Sequence, residues 1–433
     1  METDTAHIAL GFAILTFLYL LLTLEIMHRT SAALLTLALV MILNMFLRFA
    51  DFRDLLEGVD LDTILLLMCM MIIVGVLSKT GFFKYLASKL LARFYRNSLM
   101  LIAVLSLFTA AVSAFIDNVT TVLLVTPLVL TIFSELRLDP RPALLAVIFS
   151  SNIGGTATLI GDPPNIIIGS VARLGFMSFI RNLTPIVIIC FLAYLLTFKI
   201  MHRSWLRRYG EVARSIQLEI THSQIVNKSF LRKMFLIFAL VIILFFLEDF
   251  LKYPPAIPAI IGAGLAVTLS RRYVRIEELL HFVDWTTLVF FISMFMVVRG
   301  VERLGTVDFI ASSISAASAG PTEALMLVLW ISAVMSAFID NIPFVMAMVP
   351  IVPTVALAVN MQSTALYWAL SLGSCLGGNG TLVGASANIV VAGIAERYGH
   401  HMSFRYFVKY GMPVMLVTVG VSAIYLILRY AQQ

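Results

Sequence analysis

Residues 113–127, SAFIDNVTTVLLVTP, place Asp117 and Asn118 inside a stretch that is apolar enough to lie in lipid. An ionisable side chain at the centre of a bilayer costs at least about 2.5 kcal/mol, so such residues are normally retained for ion or proton handling. Residues 336–350, SAFIDNIPFVMAMVP, repeat this stretch with Asp340 and Asn341 at the matching positions. These two acid-amide pairs are the first candidates for a binding site.

A second pair of motifs repeats in the same register. GGTATLIGDPPNI (154–166) matches GGNGTLVGASANI (377–389), and each residue of the second copy lies 223 positions after its counterpart, as Asp340 lies after Asp117. Two matched segments with no insertion between them indicate an internal duplication. Residues predicted to break helices cluster in both copies: Gly154, Gly155, Gly161, Pro163 and Pro164, and Gly377, Gly378, Gly380 and Gly384. Irregular backbone is tolerated at membrane depth only where protein or a water-filled cavity surrounds it.

The motifs are rich in oxygen donors. Side chains of Asp, Asn, Thr and Ser suit hard cations such as Na⁺ or the hydroxyl groups of a solute, and a broken helix adds free backbone amides and carbonyls. The predicted substrate- or ion-binding set is Asp117, Asn118, Thr120, Thr121, Thr156, Thr158, Asp162, Asn165, Asp340, Asn341, Asn379, Thr381, Ser386 and Asn388, with Cys375 as the one thiol. Apart from Na⁺ at the Asp/Asn sites, the sequence predicts no metal.

The two copies differ in their acids, because Asp162 in the first is matched by Ala385 in the second. Desolvation and neighbouring like charge favour the protonated form of a buried carboxyl group, so Asp117, Asp162 and Asp340 are the proton-carrier candidates. Asp117 and Asp162 are favoured among them. The alternative is structural: either aspartate could cap a half-helix or pair with a basic side chain.

Composition supports this setting. Of 433 residues, 61% are hydrophobic and only 12% charged, whereas soluble domains carry about 25% charged residues. The formal charge of +6 comes from short loops, which indicates membrane topology and argues against nucleic-acid binding. Apolar runs predict membrane spans near 8–27, 31–49, 62–78, 183–201, 231–250, 255–270, 286–300 and 411–429.

The pattern predicts an all-α polytopic membrane protein made of two inverted repeats. Each repeat has five spans and a re-entrant hairpin, and each contains a broken helix at the midplane. Loops 79–97 and 199–233 carry five and eight Lys or Arg residues and are predicted to be cytoplasmic, which places both termini outside. The predicted units are a first repeat at 1–201 (hairpin 98–135, broken helix 141–175), a cytoplasmic linker at 202–230, and a second repeat at 231–433 (hairpin 322–357, broken helix 364–395).

The motifs resemble those of a known group. TGFF (80–83), both SAFIDN copies, NIGGTATLIGDPPN (152–165) and CLGGNGTLVGASANIVVAGIAE (375–396) are similar to the ArsB/NhaD permeases of the ion-transporter superfamily, close to the melanosomal P protein. The resemblance implies a scaffold domain that commonly dimerises and a transport domain that moves like an elevator. The group includes arsenite and antimonite exporters, some with a separate ATPase subunit, Na⁺/H⁺ antiporters, and more distant dicarboxylate carriers.

One departure bears on the substrate. The dicarboxylate carriers have Ser-Asn-Thr at their hairpin tips, whereas this chain has Asp117-Asn118-Val119 and Asp340-Asn341-Ile342. A carboxylate about 4 Å from an anionic group opposes binding by about 4 kcal/mol at an effective dielectric constant near 20. A polyanion is therefore disfavoured unless cations neutralise the tips first.

The leading hypothesis is a secondary transporter of the plasma (inner) membrane that exports arsenite or antimonite by proton coupling. The alternatives are a Na⁺/H⁺ antiporter or a sodium-coupled anion transporter, and outside this class a passive channel or an intramembrane aspartyl protease that uses Asp117 and Asp340. We expect no enzyme activity and no cofactor beyond the coupling ion, H⁺ or Na⁺. The expected partners are the solute, the lipid bilayer and a second copy of the chain. A separate ATPase subunit, such as some exporters of the resembled group use, is a further expected partner, because the sequence contains no GxxxxGK[ST] nucleotide-binding loop of its own.

Overall fold

The protein is described here by a computed structural model covering residues 5–24, 26–215, 225–318 and 320–430. Within these ranges all regular structure is helical. The helices of the first half are α1 (Thr5–Thr23), α2 (Arg29–Leu47), α3 (Phe52–Glu57), α4 (Leu61–Lys79), α5 (Phe82–Phe94), α6 (Ser98–Ser113), α7 (Asn118–Glu135), α8 (Arg141–Gly155), α9 (Pro163–Ala172), α10 (Phe176–Asn182), α11 (Thr184–Met201) and α12 (Arg203–Ser215). Those of the second half are α13 (Lys228–Leu251), α14 (Ala256–Ser270), α15 (Ile276–Leu280), α16 (Trp285–Arg303), α17 (Thr306–Ala316), α18 (Pro321–Phe338), α19 (Asn341–Met348), α20 (Ile351–Ala358), α21 (Ser363–Gly377), α22 (Ser386–Arg397) and α23 (Phe404–Tyr430).

Many of these helices are long and apolar enough to cross a membrane. Nine helices in the described ranges meet that condition by themselves, and two sharply bent pairs, α9 with α10 and α19 with α20, could each act as one further span. The chain is therefore an all-α polytopic membrane protein, as predicted. The eight predicted spans coincide with α1, α2, α4, α11, α13, α14, α16 and α23 to within a few residues, except that α23 begins earlier, at Phe404.

Both predicted hairpins are interrupted at the acid-amide pair. The chain leaves helical geometry before Asp117, whose side chain then caps α7 by accepting a hydrogen bond from the Thr120 amide at 2.8 Å. Asp340 caps α19 in the same way, accepting from the Ile342 amide at 3.2 Å. Aspartate stabilises a helix start because its carboxylate satisfies otherwise unpaired backbone N–H groups. Both acids therefore act as helix caps in the structure.

The returning arms of the two hairpins differ. Pro127 lies inside the continuous helix α7, whereas the matching Pro350 lies at a bend of 50° between α19 and α20. Proline removes a backbone donor and crowds the preceding turn, so either a kink or a break relieves it. The second arm also contains Pro353, which cannot donate a backbone hydrogen bond across the bend and so favours the sharper break on that side.

The broken helices form the centre of the molecule. Every residue of α8 from Pro142 to Gly155 and of α21 from Ala365 to Gly377 is buried. Each ends at its glycine pair, α8 at Gly155 and α21 at Gly377, and the chain resumes as α9 or α22. The predicted breaks within 141–175 and 364–395 therefore lie at 156–162 and 378–385.

The duplication is visible in repeated contacts. α6 packs on α8 so closely that a Cβ atom at Gly154 would lie 2.4 Å from the Cα of Ala110, and in the second copy a Cβ at Gly377 would lie 2.8 Å from the Cα of Ala333. The Thr158 hydroxyl donates to the carbonyl of Ala114, and the Thr381 hydroxyl to that of Ala337. Each pair is related by the same 223-residue shift, so the two crossings are built alike.

The two copies also pack against each other in a reciprocal way. α7 of the first contacts α22 of the second, and α9 of the first contacts α19 of the second. The remaining long helices surround this centre, with α4 against α14 and α2 against α16. The predicted linker at 202–230 begins with helix α12, and its residues 216–224 lie outside the described part of the chain.

An ion-pair cluster joins the short helix α3 to the end of α16. Arg299 Nη2 lies 2.8 Å from Asp54 Oδ1, and Arg303 also pairs with this carboxylate. The hydrogen bond from Arg303, with that from Arg299, holds the pKa of Asp54 at about 2, below its usual 3.8. A carboxyl group whose pKa is depressed in the folded state stabilises that state above its unfolded pKa and loses this contribution as the pH falls through the folded value.

We therefore expect the thermal stability of the wild-type protein to fall between about pH 4 and pH 2 partly through Asp54. The variant Asp54→Asn should be less stable at neutral pH, where the ion pairs are lost, and should show a smaller additional decrease across that window. Unfolding temperatures of the purified protein in detergent, measured at a series of pH values, test this. Parallel curves for the two proteins would contradict it.

Candidate functional site

The four helices that begin at the repeated motifs meet around one cavity of about 530 Å³, here called the central cavity. The first turns of α7, α9, α19 and α22 line it, together with the start of α16, residues of α4, and Arg29 at the start of α2. Its polar and charged lining residues are Arg29, Asp117, Asn118, Thr120, Asp162, His281, Asp284, Thr286, Thr287, Asn341 and Ser386. Helix N-termini carry partial positive charge, so their convergence favours carboxylates and anions at this place.

The first copy contributes two carboxyl groups. Asp117 caps α7 at the cavity wall, and Asn118 accepts a hydrogen bond from the Ser113 hydroxyl at 2.5 Å. Asp162 precedes α9 and is only 1% exposed. Its Oδ1 accepts from the Asn341 side-chain amide of the second copy at 3.4 Å, while its Oδ2 has no hydrogen-bond partner among the described residues. A buried carboxylate oxygen without a partner is unfavourable unless a proton or a cation neutralises it.

The second copy is arranged differently. Asp340 accepts a hydrogen bond from the Ser386 hydroxyl at 2.6 Å and lies 3.4 Å from Arg29 Nη1. Asp340 is not itself among the residues that line the central cavity, although both of these partners are. The acid of the second copy therefore has a cationic partner, whereas Asp117 and Asp162 form no ion pair within the described residues.

Behind the cavity, the two breaks interlock through side-chain amides. Asn152 Nδ2 donates to Asn388 Oδ1 at 3.2 Å and to Asn379 Oδ1 at 3.0 Å. In the reciprocal contact, Cys375 Sγ lies 3.7 Å from Asn165 Oδ1, which also accepts from the Ser371 hydroxyl at 2.6 Å. Because Cys375 matches Asn152 and Asn388 matches Asn165, the crossing is approximately two-fold symmetric.

All of the predicted site residues except Asp340, which contacts the cavity lining without being part of it, fall into two layers. Asp117, Asn118, Thr120, Asp162, Asn341 and Ser386 line the central cavity, as does Pro163. A buried layer that holds the broken backbone contains Thr121, Thr156, Thr158, Asn165, Cys375, Asn379, Thr381 and Asn388. Within it, the Asn165 side chain donates to the carbonyls of Thr156 and Thr158, and that of Asn388 to the carbonyls of Gly378 and Thr381. These positions indicate that the buried layer holds the backbone of the breaks in place. Direct binding of a solute or ion by this layer stays a prediction.

The donor chemistry is that of a site for light cations or hydroxyl groups. In the described part of the chain no three His, Cys, Asp or Glu side chains are grouped so that they could hold a metal ion. The cavity instead offers carboxylates, amides, hydroxyls and one guanidinium group. Such a set can exchange a proton or Na⁺ and can hydrogen-bond a small polar solute.

The sequence profile of the citrate transporter family, CitMHS, matches residues 19–373. The chain belongs to this family. An uncharacterized transporter of Mycobacterium tuberculosis is 37% identical over 415 residues, which is 95% of this chain and 96% of that protein. Human P protein is 33% identical over 507 residues, covering 98% of this chain but 60% of the P protein.

Solved structures agree on the fold. The YdaH transporter of Alcanivorax borkumensis has a TM-score of 0.58 at 14% identity, with 86% of each chain covered. MtrF of Neisseria gonorrhoeae, described as one of a class of antimetabolite efflux pumps, has a TM-score of 0.59 at 12% identity, with 90% of this chain and 84% of MtrF covered. The family match and the similarity to the P protein confirm a membrane transporter of the ion-transporter superfamily, as the motifs predicted, and the solved structures show the same fold.

Several polar residues of this citrate transporter family member were not predicted from the sequence, namely the cavity-lining Arg29, His281, Asp284, Thr286 and Thr287 and the buried Asn152. Arg29 and Asp284 lie at the ends of apolar runs, where charges usually only set topology. Thr287 binds Arg29 at 2.9 Å, a contact between distant parts of the chain. Asn152 stands inside a recognised motif, but its counterpart is Cys375, so the repeat gave no signal for it.

The amide crossing leads to a prediction. Asn152→Ala leaves the side-chain oxygens of Asn379 and Asn388 without their donor, and each unsatisfied buried group costs about 1–3 kcal/mol. Cys375→Ser is the matched control at the equivalent position, because a hydroxyl keeps a donor toward Asn165. We expect a clearly lower unfolding temperature for Asn152→Ala and a small change for Cys375→Ser, measured on purified protein. Equal losses in both variants would contradict the assignment of the effect to the lost amide donor.

Proposed function

We propose that the chain is a secondary active transporter in which a carboxyl group of the central cavity carries the coupling cation. The observation that carries this proposal is Asp162, which is buried, faces the contact between the two copies, and has one oxygen without a partner. Such a group needs a proton or Na⁺ whenever water is excluded from it. Binding of that cation can therefore be linked to closure of the site around a solute.

For the solute, the charge of the cavity favours a neutral molecule with hydroxyl groups. Asp117, Asp162 and Asp284 line the cavity against the single guanidinium of Arg29, which is itself shared with Asp340. The trihydroxides of trivalent arsenic and antimony carry donors that carboxylates and amides accept, and bring no charge that these acids oppose. Proton-coupled efflux of arsenite or antimonite is accordingly our first candidate activity.

A second candidate is citrate, and two observations favour it. The family is named for citrate transport, and the cavity of about 530 Å³ is roomy enough for a small organic acid beside the guanidinium of Arg29. The acids of the cavity oppose a bare trianion, by about 4 kcal/mol for each like-charged pair at 4 Å and an effective dielectric constant near 20. Citrate would therefore enter with a neutralising cation, as in a sodium-coupled anion transporter.

The movement that we propose is elevator-like. The two hairpins and two broken helices (α6–α9 and α18–α22) would move as one body, because α7 packs on α22 and α9 on α19 across the copies. The surrounding helices α1–α5 and α13–α17 would form the scaffold, with repeats at 1–201 and 231–433 in opposite orientations. A homodimer in the plasma membrane with both termini outside completes this proposal.

The test is a flux assay in proteoliposomes that contain the purified full-length protein. Arsenite, antimonite and citrate are offered separately, each with an imposed pH gradient, an imposed Na⁺ gradient or neither, while a pH-sensitive dye reports proton movement. Arsenite or antimonite flux that depends on the pH gradient supports the first candidate, and citrate flux that needs a cation supports the second. Na⁺-driven proton movement without any of these solutes identifies a Na⁺/H⁺ antiporter, and gradient-independent flux at channel rates would overturn secondary transport.

A further inference from the structure

The Arg29 side chain connects the surrounding helices to the tip of the second hairpin. On the side of α16, its Nη2 donates to the Thr287 hydroxyl at 2.9 Å and lies 4.0 Å from an Asp284 oxygen. Its guanidinium carbon lies 5.8 Å from the centre of the Phe290 ring, within cation–π range. These contacts hold the guanidinium in one place at the start of α2.

On its other side the same guanidinium contacts the second copy of the motif. Nη1 lies 3.4 Å from Asp340 Oδ2 and also contacts the Ser386 hydroxyl, which itself donates to Asp340. Asp340 is 18% exposed at its side chain, so this pair is only partly shielded from water. The carboxylate at this tip is thus compensated by a cation that belongs to the chain.

The first copy has the same acid without such a cation. Asp117 caps its helix as Asp340 does, but it makes no ion pair within the described residues, and the residue that matches Ser386 is Pro163, which has no hydroxyl group. Asp162 adds a second carboxyl group on that side, where the second copy has Ala385. Equivalent backbone positions therefore differ in charge balance, since the acid is paired with a cation in the second copy and has no such partner in the first.

We propose that the second tip is a monovalent-cation site whose occupant is the chain's own Arg29 guanidinium. Mobile coupling ions then bind only at the first copy, through Asp117 and Asp162, and Arg29 determines how many ions the protein takes up. This inference deepens the proposed function and rests on it in one respect: the ions bound at the first copy drive transport only if the chain is a secondary transporter. The occupancy of the second site by Arg29 is a separate statement that can be measured without a transported solute.

The experiment counts bound sodium. Full-length protein in nanodiscs at fixed alkaline pH is titrated with radiolabelled Na⁺, with choline as the replacing ion, for wild type and for Arg29→Gln. Removing the guanidinium charge vacates the site beside Asp340 and Ser386, so the variant should bind a single additional Na⁺ per chain and should gain more thermal stability from Na⁺ than wild type does. Arg29→Met, which keeps an aliphatic side chain over Phe290, should gain the same ion.

Two further variants separate this effect from a structural one. Arg29→Lys keeps the positive charge and should retain the wild-type sodium count, while Arg29→Gln combined with Asp340→Asn removes both charges and should lose the additional ion. If folded Arg29→Gln and Arg29→Met bind no more sodium than wild type, the inference is overturned. That result leaves the flux assay untouched, whereas an absence of coupled flux with a normal gain of sodium would overturn the proposed function alone.

Discussion

Replacing Asp162 with asparagine is expected to reduce gradient-driven transport by roughly 10- to 100-fold. The amide keeps the size of the side chain and its contact with Asn341, but it can neither bind a proton nor balance Na⁺. An interaction with a charged group is worth about 1.5–3 kcal/mol, and each 1.4 kcal/mol changes an equilibrium constant tenfold. The measurement is the initial transport rate in proteoliposomes with and without the driving gradient, using the solute that the flux assay identifies.

The two rates should change differently. Solute exchange at equal concentrations on both sides requires no net movement of the coupling ion, so Asp162→Asn should keep more of its exchange activity than of its gradient-driven activity. Asp139→Asn is the matched control, because Asp139 is paired with Arg141 in the loop between α7 and α8, at 2.8 Å, and does not line the central cavity. It should transport at the wild-type rate. Full gradient-driven transport by Asp162→Asn would remove the carboxyl group from the coupling mechanism.

Much of the fold could be predicted because its determinants are local. Apolar runs of span length are required wherever a helix crosses lipid, and the duplicated motifs mark the interruptions at both acid-amide pairs and at both glycine-rich breaks without any knowledge of packing. Helix capping was the structural alternative for Asp117 and Asp162, because an acid before a helix can satisfy free amide groups. The structure confirms the helical polytopic class; of these two acids, Asp117 caps its helix with its side chain, whereas Asp162, at the start of α9, makes no such hydrogen bond.

The sequence could not separate the lining of the cavity from its supporting layer. Thr120 lines the cavity, whereas Thr121, the next residue, is buried and donates to the carbonyl of Ile116 at 3.5 Å. On a helix adjacent residues face different directions, and the rotation of each half-helix is fixed by tertiary contacts. The same reason hides the partners of Asn152, which lie more than 220 positions away in the chain.

The pairing of Arg29 with Asp340 was equally invisible. An arginine between two apolar runs fits the rule that positive residues set topology, and that rule gives no sign of a distant partner. Only the packing of α2 on α16 brings this side chain to the second hairpin tip. The repeated motifs therefore predict that the two tips are equivalent. Arg29, which lies outside both motifs, makes them different because, of the two tip acids, it pairs with Asp340 alone.

Gly154→Ala is expected to be strongly destabilising, by about 3 kcal/mol or more. A methyl group there would lie 2.3 Å from the carbonyl oxygen of Ala110 and 2.4 Å from its Cα, whereas carbon atoms in contact are about 3.5–4.0 Å apart. The atoms in its way belong to the backbone of α6, so relief requires that whole helices move apart, which places the cost at the upper end of overpacking. The yield of folded protein after detergent extraction and its unfolding temperature measure the effect.

Gly264→Ala is the matched control, since Gly264 lies inside α14 with nothing within 4 Å of the position where a Cβ would be. There the change should be neutral or stabilising by up to about 1 kcal/mol, because alanine favours a helix over glycine. Gly377→Ala meets the backbone of Ala333 as Gly154→Ala meets that of Ala110 and should show a similar loss. If only one of these two variants were destabilised, the two copies would not share one crossing geometry. The same glycine contact could then not maintain both of the reciprocal contacts around the central cavity.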